Sequence, residues 1–266
     1  MGEPELRSGV DERRISLEFE VAGRTDIGMV RRTNQDTFGV VESLGLAVIC
    51  DGMGGAAGGE VASRVALESF VEVARQEIEA SKSADGDRTK RALCRAAAAA
   101  NRAVRVRASY DIRFRGMGTT LVAARLDGSQ LFVANVGDSR AYLVRGGVAW
   151  QVTRDHSYVA EQMRNGLMTE SEAEQSLYRA AITRAVGIDE DVQPDFYTET
   201  VEAGDAVLLC SDGLMRHMRD EEIGRIVADA TLTPAEVCER LVAVVNARGG
   251  SDNVTCVVMR FGVGQG

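Results

Sequence analysis

The chain has 266 residues, 45% of them hydrophobic, which is enough for a sizeable core. Its 40 acidic and 31 basic side chains leave a formal charge of −9. That excludes a general binder of nucleic acid, because neutralising phosphates takes a basic surface.

No run approaches the ~18 apolar residues of a membrane span. The start, MGEPELRSGVDERR, is polar and charged and does not read as a secretory signal. Five cysteines (Cys50, Cys94, Cys210, Cys238 and Cys256) form no C-x-x-C pair and read as reduced core thiols. A cytoplasmic protein with no membrane partner is expected.

Residues 1–15 read as a mobile tail, and 16–264 as one domain, since no linker divides them. "ISLEFEVAG" from Ile15 alternates apolar and polar residues, the pattern of a half-buried strand. "LGLAVIC" (44–50) is nearly continuous in apolar character and reads as a central strand. Glu60 to about Ala80 carries Val61, Val65, Phe70 and Val73 at helical spacing. A second helix is predicted from Thr89 to about Ser109, where "AAAAA" (96–100) suits close packing on a sheet. Residues 118–153 form a run of strands, with hairpin signals at Asp127-Gly128 and Gly146-Gly147. Residues 157–186 look helical and charged, and "TESEAEQ" (169–175) has the form of a capping box. "AVLLC" (206–210) is another buried strand. Helices are predicted over 220–229 and 234–247, the second with proline in its first turn. "NVTCVVMRF" (253–261) closes the chain as a strand. The blocks do not repeat as βαβ, so the fold class is α+β, with layered antiparallel sheets and helices outside.

Four aspartates lie beside strand-like runs. Asp51 follows "AVIC", Asp138 follows "FVANVG", Asp212 follows "VLLCS" and Asp252 precedes "NVTCVV". One such residue is usually a turn former. Four, gathered at one rim of a sheet, would repel each other and raise their pKa values unless cations bind. The ligands would all be oxygens, which suits Mg²⁺ or Mn²⁺, and Gly52 would let a carbonyl approach. Two such ions about 3.5–4 Å apart can polarise a phosphate and activate a water. The residues thus point to a divalent-metal phosphoryl hydrolase.

Seven stretches, in order, carry a resemblance: "RTDIGMVRRTNQD" (24–36), "CDGMGG" (50–55), "GMGTT" (116–120), "ANVGDSRAYL" (134–143), "TRDHS" (153–157), "LLCSDGL" (208–214) and "GGSDNVT" (249–255). Together they resemble the metal-dependent serine/threonine phosphatases of the protein phosphatase 2C family, in their compact bacterial form. The likeness runs from about residue 20 to 262. It implies a β-sandwich of two antiparallel sheets flanked by helix pairs. It also implies hydrolysis of phosphoserine and phosphothreonine by a metal-bridging water, with no covalent intermediate.

By the same resemblance, Asp51 would bridge two core Mn²⁺ or Mg²⁺ ions, with Gly52 giving its carbonyl to one. Asp212 and Asp252 would complete the other ion's ligands, and Asp138 with Asp212 would hold a weaker third ion. Asp36 would hold a metal-bound water, and Asn253 would support Asp252. Arg31, five residues before Asp36, has the spacing of the phosphate-binding arginine, with Arg32 as its rival. Met53 stands where many eukaryotic members carry a histidine proposed as the general acid, and methionine donates no proton. A metal-bound water or His156 would take that part; His217 reads as structural. Residues 157–186 match the family's flap, either a solvated face or a segment that selects substrates. Expected partners are phosphorylated proteins, among them a serine/threonine kinase and its substrates, met by a monomer. A catalytically dead member that binds phosphoproteins is the alternative.

Overall fold

The computed structural model describes residues 17–80 and 86–263; the tail expected over 1–15 lies outside them. In chain order come β1 (Leu17–Asp26), β2 (Asp36–Val41), β3 (Leu46–Met53), α1 (Gly55–Glu79), α2 (Gly86–Ser109), β4 (Gly118–Thr119), β5 (Leu121–Asp127), β6 (Gln130–Val136), β7 (Arg140–Arg145) and β8 (Val148–Gln151). They are followed by α3 (Tyr158–Arg164), α4 (Glu170–Gln175), β9 (Asp195–Thr200), β10 (Ala206–Cys210), α5 (Asp212–Met215), α6 (Asp220–Val227), α7 (Pro234–Ala247) and β11 (Val254–Val263). One antiparallel sheet has the order β1-β11-β10-β7-β8. The other has β2-β3-β5-β6-β9, with β4 paired to the end of β3.

Three cores follow from strand periodicity, because successive side chains point to opposite faces. In "AVLLC", Val207 and Leu209 enter the core between the sheets, while Ala206, Leu208 and Cys210 pack against α6 and α7. On β3, Ala47 and Ile49 face the other sheet, and Leu46, Val48 and Cys50 face α1 and α2. Each strand is therefore apolar on both faces, and the molecule is layered helix–sheet–sheet–helix, as the sequence predicts. Among the described residues no helix is long and apolar enough to cross a membrane.

Several boundaries depart from the sequence reading. The helix expected from Glu60 begins at Gly55, since the positive φ of Gly54 (126°) and Gly55 (73°) turns the chain into it. Residues 157–186 hold only two short helices, α3 and α4, although Thr169 and Glu172 do form the capping box. The sequence reading did not single out β2 or β9. Cysteines 50, 210, 238 and 256 are buried free thiols as expected, but Cys94 on α2 is exposed.

Candidate active site

The inner faces of the strands carry the clue to the site. Continue each inward-facing row toward one end of the sandwich and it turns polar: Thr25 on β1, Asp36 on β2, Asp51 on β3, Thr120 before β5, Ser211 after β10 and Thr255 on β11. These groups bond to one another. Asp36 Oδ2 accepts from Ser211 Oγ and Thr255 Oγ1, each at 2.7 Å, and Thr25 Oγ1 lies 2.7 Å from Thr255 Oγ1. Thr120 Oγ1 accepts from the Asp51 N–H at 3.0 Å and lies 2.8 Å from Ser139 Oγ. The carbonyl of Asp51 accepts from the Thr119 hydroxyl and the Thr120 N–H, both at 2.9 Å. Asp51 is thus fixed by main-chain bonds that leave its carboxylate free. It is also not the residue after a strand: β3 continues to Met53 because Gly52 and Met53 pair with Thr119 and Gly118.

Asp36 and Asp51 stand directly opposite each other across β2 and β3. Like charges so placed destabilise a sheet. Burial pushes the Asp36 carboxyl up to about 6 against the pull of the two hydroxyls. Burial, then Asp36, Asp212 and Asp138, holds Asp51 well above the carboxylate range. Burial, then Asp212 and Asp155, pushes Asp138 up to about 7. Asp212, at the start of α5, is also raised by burial, with Arg216 pulling the other way.

A cleft of about 540 Å³ brings Asp51, Gly52, Asp138, Asp212 and Asp252 together with Arg31, Arg32, Met53, Arg216 and Asn253. Ala180 and Ile182 of the 157–186 segment form part of its wall. Arg31 Nη2 donates to Asp252 Oδ2 at 2.7 Å, whereas Arg32 makes no such bond to the acids.

Two residues play parts that the sequence reading did not give them. Asn253 meets Asp252 only through its N–H, at 2.9 Å from Oδ1. Its side chain instead ties down the loop that carries Arg31: Oδ1 accepts from the Gln35 N–H at 2.9 Å, and Nδ2 donates to Ile27 O and Thr33 O at 3.0 Å each. Gly52 is small for a packing reason as well as for carbonyl access. A Cβ there would stand 2.0 Å from Gly59 O and 2.7 Å from Gln35 O, so glycine lets α1 seat on β3.

His156 is buried outside the cleft lining. Its Nδ1 accepts from the Gly137 N–H at 3.0 Å. Nε2 is 3.1 Å from Asp195 Oδ2, off the angle of a hydrogen bond. Burial lowers its pKa despite Asp195. A histidine so enclosed ties down the 137 loop and stands apart from the residues that line the cleft, against the general-acid part expected of it. His217 Nε2 accepts from the Ser251 N–H at 3.1 Å and bridges the end of α5 to the loop before Asp252, consistent with the structural part expected of it. Arg216 was not foreseen. It lies one helical turn after Asp212 and bonds that carboxylate, a pairing that an i, i+4 scan of a recognised helix would have found.

The donor set suits a hard divalent cation. All of the candidate ligands are oxygens, several carboxylates share one rim, and Asp36 Oδ1 is buried with no hydrogen-bond partner. Among the described residues, no three His, Cys, Asp or Glu side chains stand close enough together to hold an ion as placed. Arginines take the outward oxygens of Asp212 and Asp252 instead. The charge of the rim fits a cation, since Asp51 and Asp138 have no arginine partner among the described residues.

Known proteins resemble this chain in sequence and in fold. The family profile described as Protein phosphatase 2C matches residues 30–254. The serine/threonine phosphatase stp of Listeria innocua is 34% identical over 239 residues, which cover 89% of this chain and 93% of that protein. The crystal structure of the Mycobacterium tuberculosis serine/threonine phosphatase PstP/Ppp superposes with a TM-score of 0.81 at 34% identity, covering 91% of this chain and 98% of that one. The catalytic domain of the serine threonine protein phosphatase PstP in complex with two manganese ions gives a TM-score of 0.80 at 33% identity, over 93% of this chain and 100% of that one. On the two-sheet fold, the carboxylate rim and these matches, the chain belongs to the protein phosphatase 2C family.

Proposed function

We propose that the chain is a protein-serine/threonine phosphatase, a metal-dependent hydrolase of phosphoserine and phosphothreonine in proteins, built as one catalytic domain over residues 16–264. The observation that carries this reading is the meeting of four carboxylates and a phosphate-competent arginine in one cleft. Two core ions, Mn²⁺ or Mg²⁺, are assigned to Asp51, the Gly52 carbonyl, Asp212 and Asp252, and a weaker third ion to Asp138 with Asp212. Bound there, the ions would neutralise phosphate charge and supply a nucleophilic water at neutral pH.

The chain's own residues do the rest. The main chain of Asp51 is held by Thr119 and Thr120, which fixes where its carboxylate enters the cleft. Arg31, half exposed on a loop pinned by Asn253, presents a planar guanidinium that grips two phosphate oxygens. Asp36, with one oxygen bonded by the Ser211 and Thr255 hydroxyls, stands opposite Asp51 behind the cleft and is placed to act on it through the Asp51 carboxylate. Met53, Ala180 and Ile182 are apolar members of the cleft lining.

Phosphorylated proteins, among them a serine/threonine kinase and its targets, are the partners this chemistry implies, acted on by a monomer. Four buried free thiols support a reducing, cytoplasmic setting. Turnover of p-nitrophenyl phosphate tests the reading. It requires added Mn²⁺, stops with chelator and collapses in Asp51→Asn; metal-independent turnover, or full activity in that variant, would sink it.

A further inference from the structure

Arg216 brings a positive charge to the carboxylate rim. It projects from α5 one turn after Asp212. Its Nε donates to Asp212 Oδ2 at 3.1 Å, and Nη2 bonds the same oxygen. Its Nη1 lies 3.7 Å from Asp252 Oδ2, the oxygen that also receives Arg31. The Arg216 side chain is 34% exposed, against 18% for Asp212 and 13% for Asp252, so the cluster is sheltered well beyond an ordinary surface pair. Arg216 also borders a second groove of about 1020 Å³, which runs beneath the 157–186 segment past Glu174, Met218 and Arg219. A displaced Arg216 side chain therefore has open space to enter.

We propose that Arg216 is an internal counter-ion that holds Asp212, reaches toward Asp252 by charge alone, and competes with the divalent cation for this rim. The inference rests on the metal reading above and concerns what sets cation affinity. A cation that draws on Asp212 Oδ2 needs the oxygen to which the Arg216 guanidinium donates, and any cation at this rim meets the positive charge of Arg216 3.7 Å from Asp252 Oδ2. Breaking these charge-assisted bonds subtracts from its binding free energy. Conversely, aspartates stripped of the arginine repel one another and attract a cation more strongly. Swinging Arg216 into the groove is the motion that cation binding requires.

Calorimetric titration of Mn²⁺ into metal-free protein, without substrate and at fixed pH and ionic strength, tests this. Arg216→Gln binds Mn²⁺ about tenfold more tightly than wild type, the factor expected from losing one sheltered charge-assisted pair. Arg216→Lys, charged but without the fork, falls between them. By differential scanning fluorimetry, metal-free Arg216→Gln melts lower than wild type and gains more from Mn²⁺. Arg219→Gln, which removes a groove arginine with no ion pair to either aspartate, leaves the affinity unchanged. Equal or weaker Mn²⁺ binding by Arg216→Gln overturns the proposal, as does an equal gain in Arg219→Gln, which would make the effect general charge. Should Arg216→Gln fail to fold, Arg216→Lys decides: tighter binding than wild type supports the proposal, and unchanged or weaker binding overturns it. If wild type takes up no Mn²⁺ at all, the metal reading itself fails, a result distinct from a wild type that binds alongside an unshifted variant.

Discussion

Replacing Asn253 by alanine removes three hydrogen bonds at once: one accepted from the Gln35 N–H at 2.9 Å and two donated to Ile27 O and Thr33 O at 3.0 Å. At a net ~1 kcal/mol for each neutral bond, the loss is about 3 kcal/mol. For a domain of this size, that lowers the melting temperature by roughly 6–10 °C. The catalytic effect has a separate origin. The three bonds hold the segment between Ile27 and Gln35, which carries Arg31, so its release lets the guanidinium drift from the phosphate. A misplacement of about 1 Å costs up to ~100-fold. Calorimetric melting and p-nitrophenyl phosphate kinetics on one preparation separate the two effects, with kcat/KM falling at temperatures well below the melt. Asn253→Asp keeps the acceptor oxygen but sets a carboxylate oxygen against the carbonyls of Ile27 and Thr33, so it melts no higher than the alanine variant. A melting temperature within 2 °C of wild type together with unchanged kcat/KM in Asn253→Ala would refute the reasoning.

Asp138→Ala lowers turnover while calorimetry finds the core cation sites intact; loss of the core sites would reassign Asp138. Leu209→Ala, in the core between the sheets, destabilises by about 3 kcal/mol in urea unfolding with an unchanged m-value, since it empties a buried leucine site. In the native protein an aromatic disulfide reagent labels Cys94 alone, and the other four thiols react only on unfolding. Burial pushes Cys210 up to about 12, so it carries almost no thiolate at neutral pH; rapid labelling of two or more cysteines would contradict the burial described.

Where the physics is local, the sequence shows the structure. "AVLLC" is apolar at every position because β10 is covered on both faces. Thr169 and Thr233 announce α4 and α7 through capping boxes, each with its glutamate three residues on. The strands left unread were marginal in pattern: β2 interrupts its apolar run with Gly39, and β9 is a half-buried edge strand just after Pro194. Asp51 looked like a residue beyond a strand because its continuation depends on β4, more than sixty residues away in sequence. Asn253 looked like a helper of its neighbour Asp252, yet its side chain bonds Ile27, Thr33 and Gln35, 218 to 226 residues away in the chain. Arg216 was hidden by Gly213, which reads as a turn and masks the short helix that puts residues 212 and 216 on one face. The aspartates were legible because each abuts an apolar run. Their common rim became so only through the resemblance and then through the sheet registers.

The central claim is that the carboxylate rim is a cation-dependent site for phosphoprotein hydrolysis. Phosphate release from a phosphothreonine peptide, followed in metal-free protein before and after Mn²⁺ is added, tests it most directly. The account predicts no release without the ion, release on its addition, and none in Asp51→Asn with the ion present. Release by the metal-free protein, or undiminished release by Asp51→Asn, would contradict it.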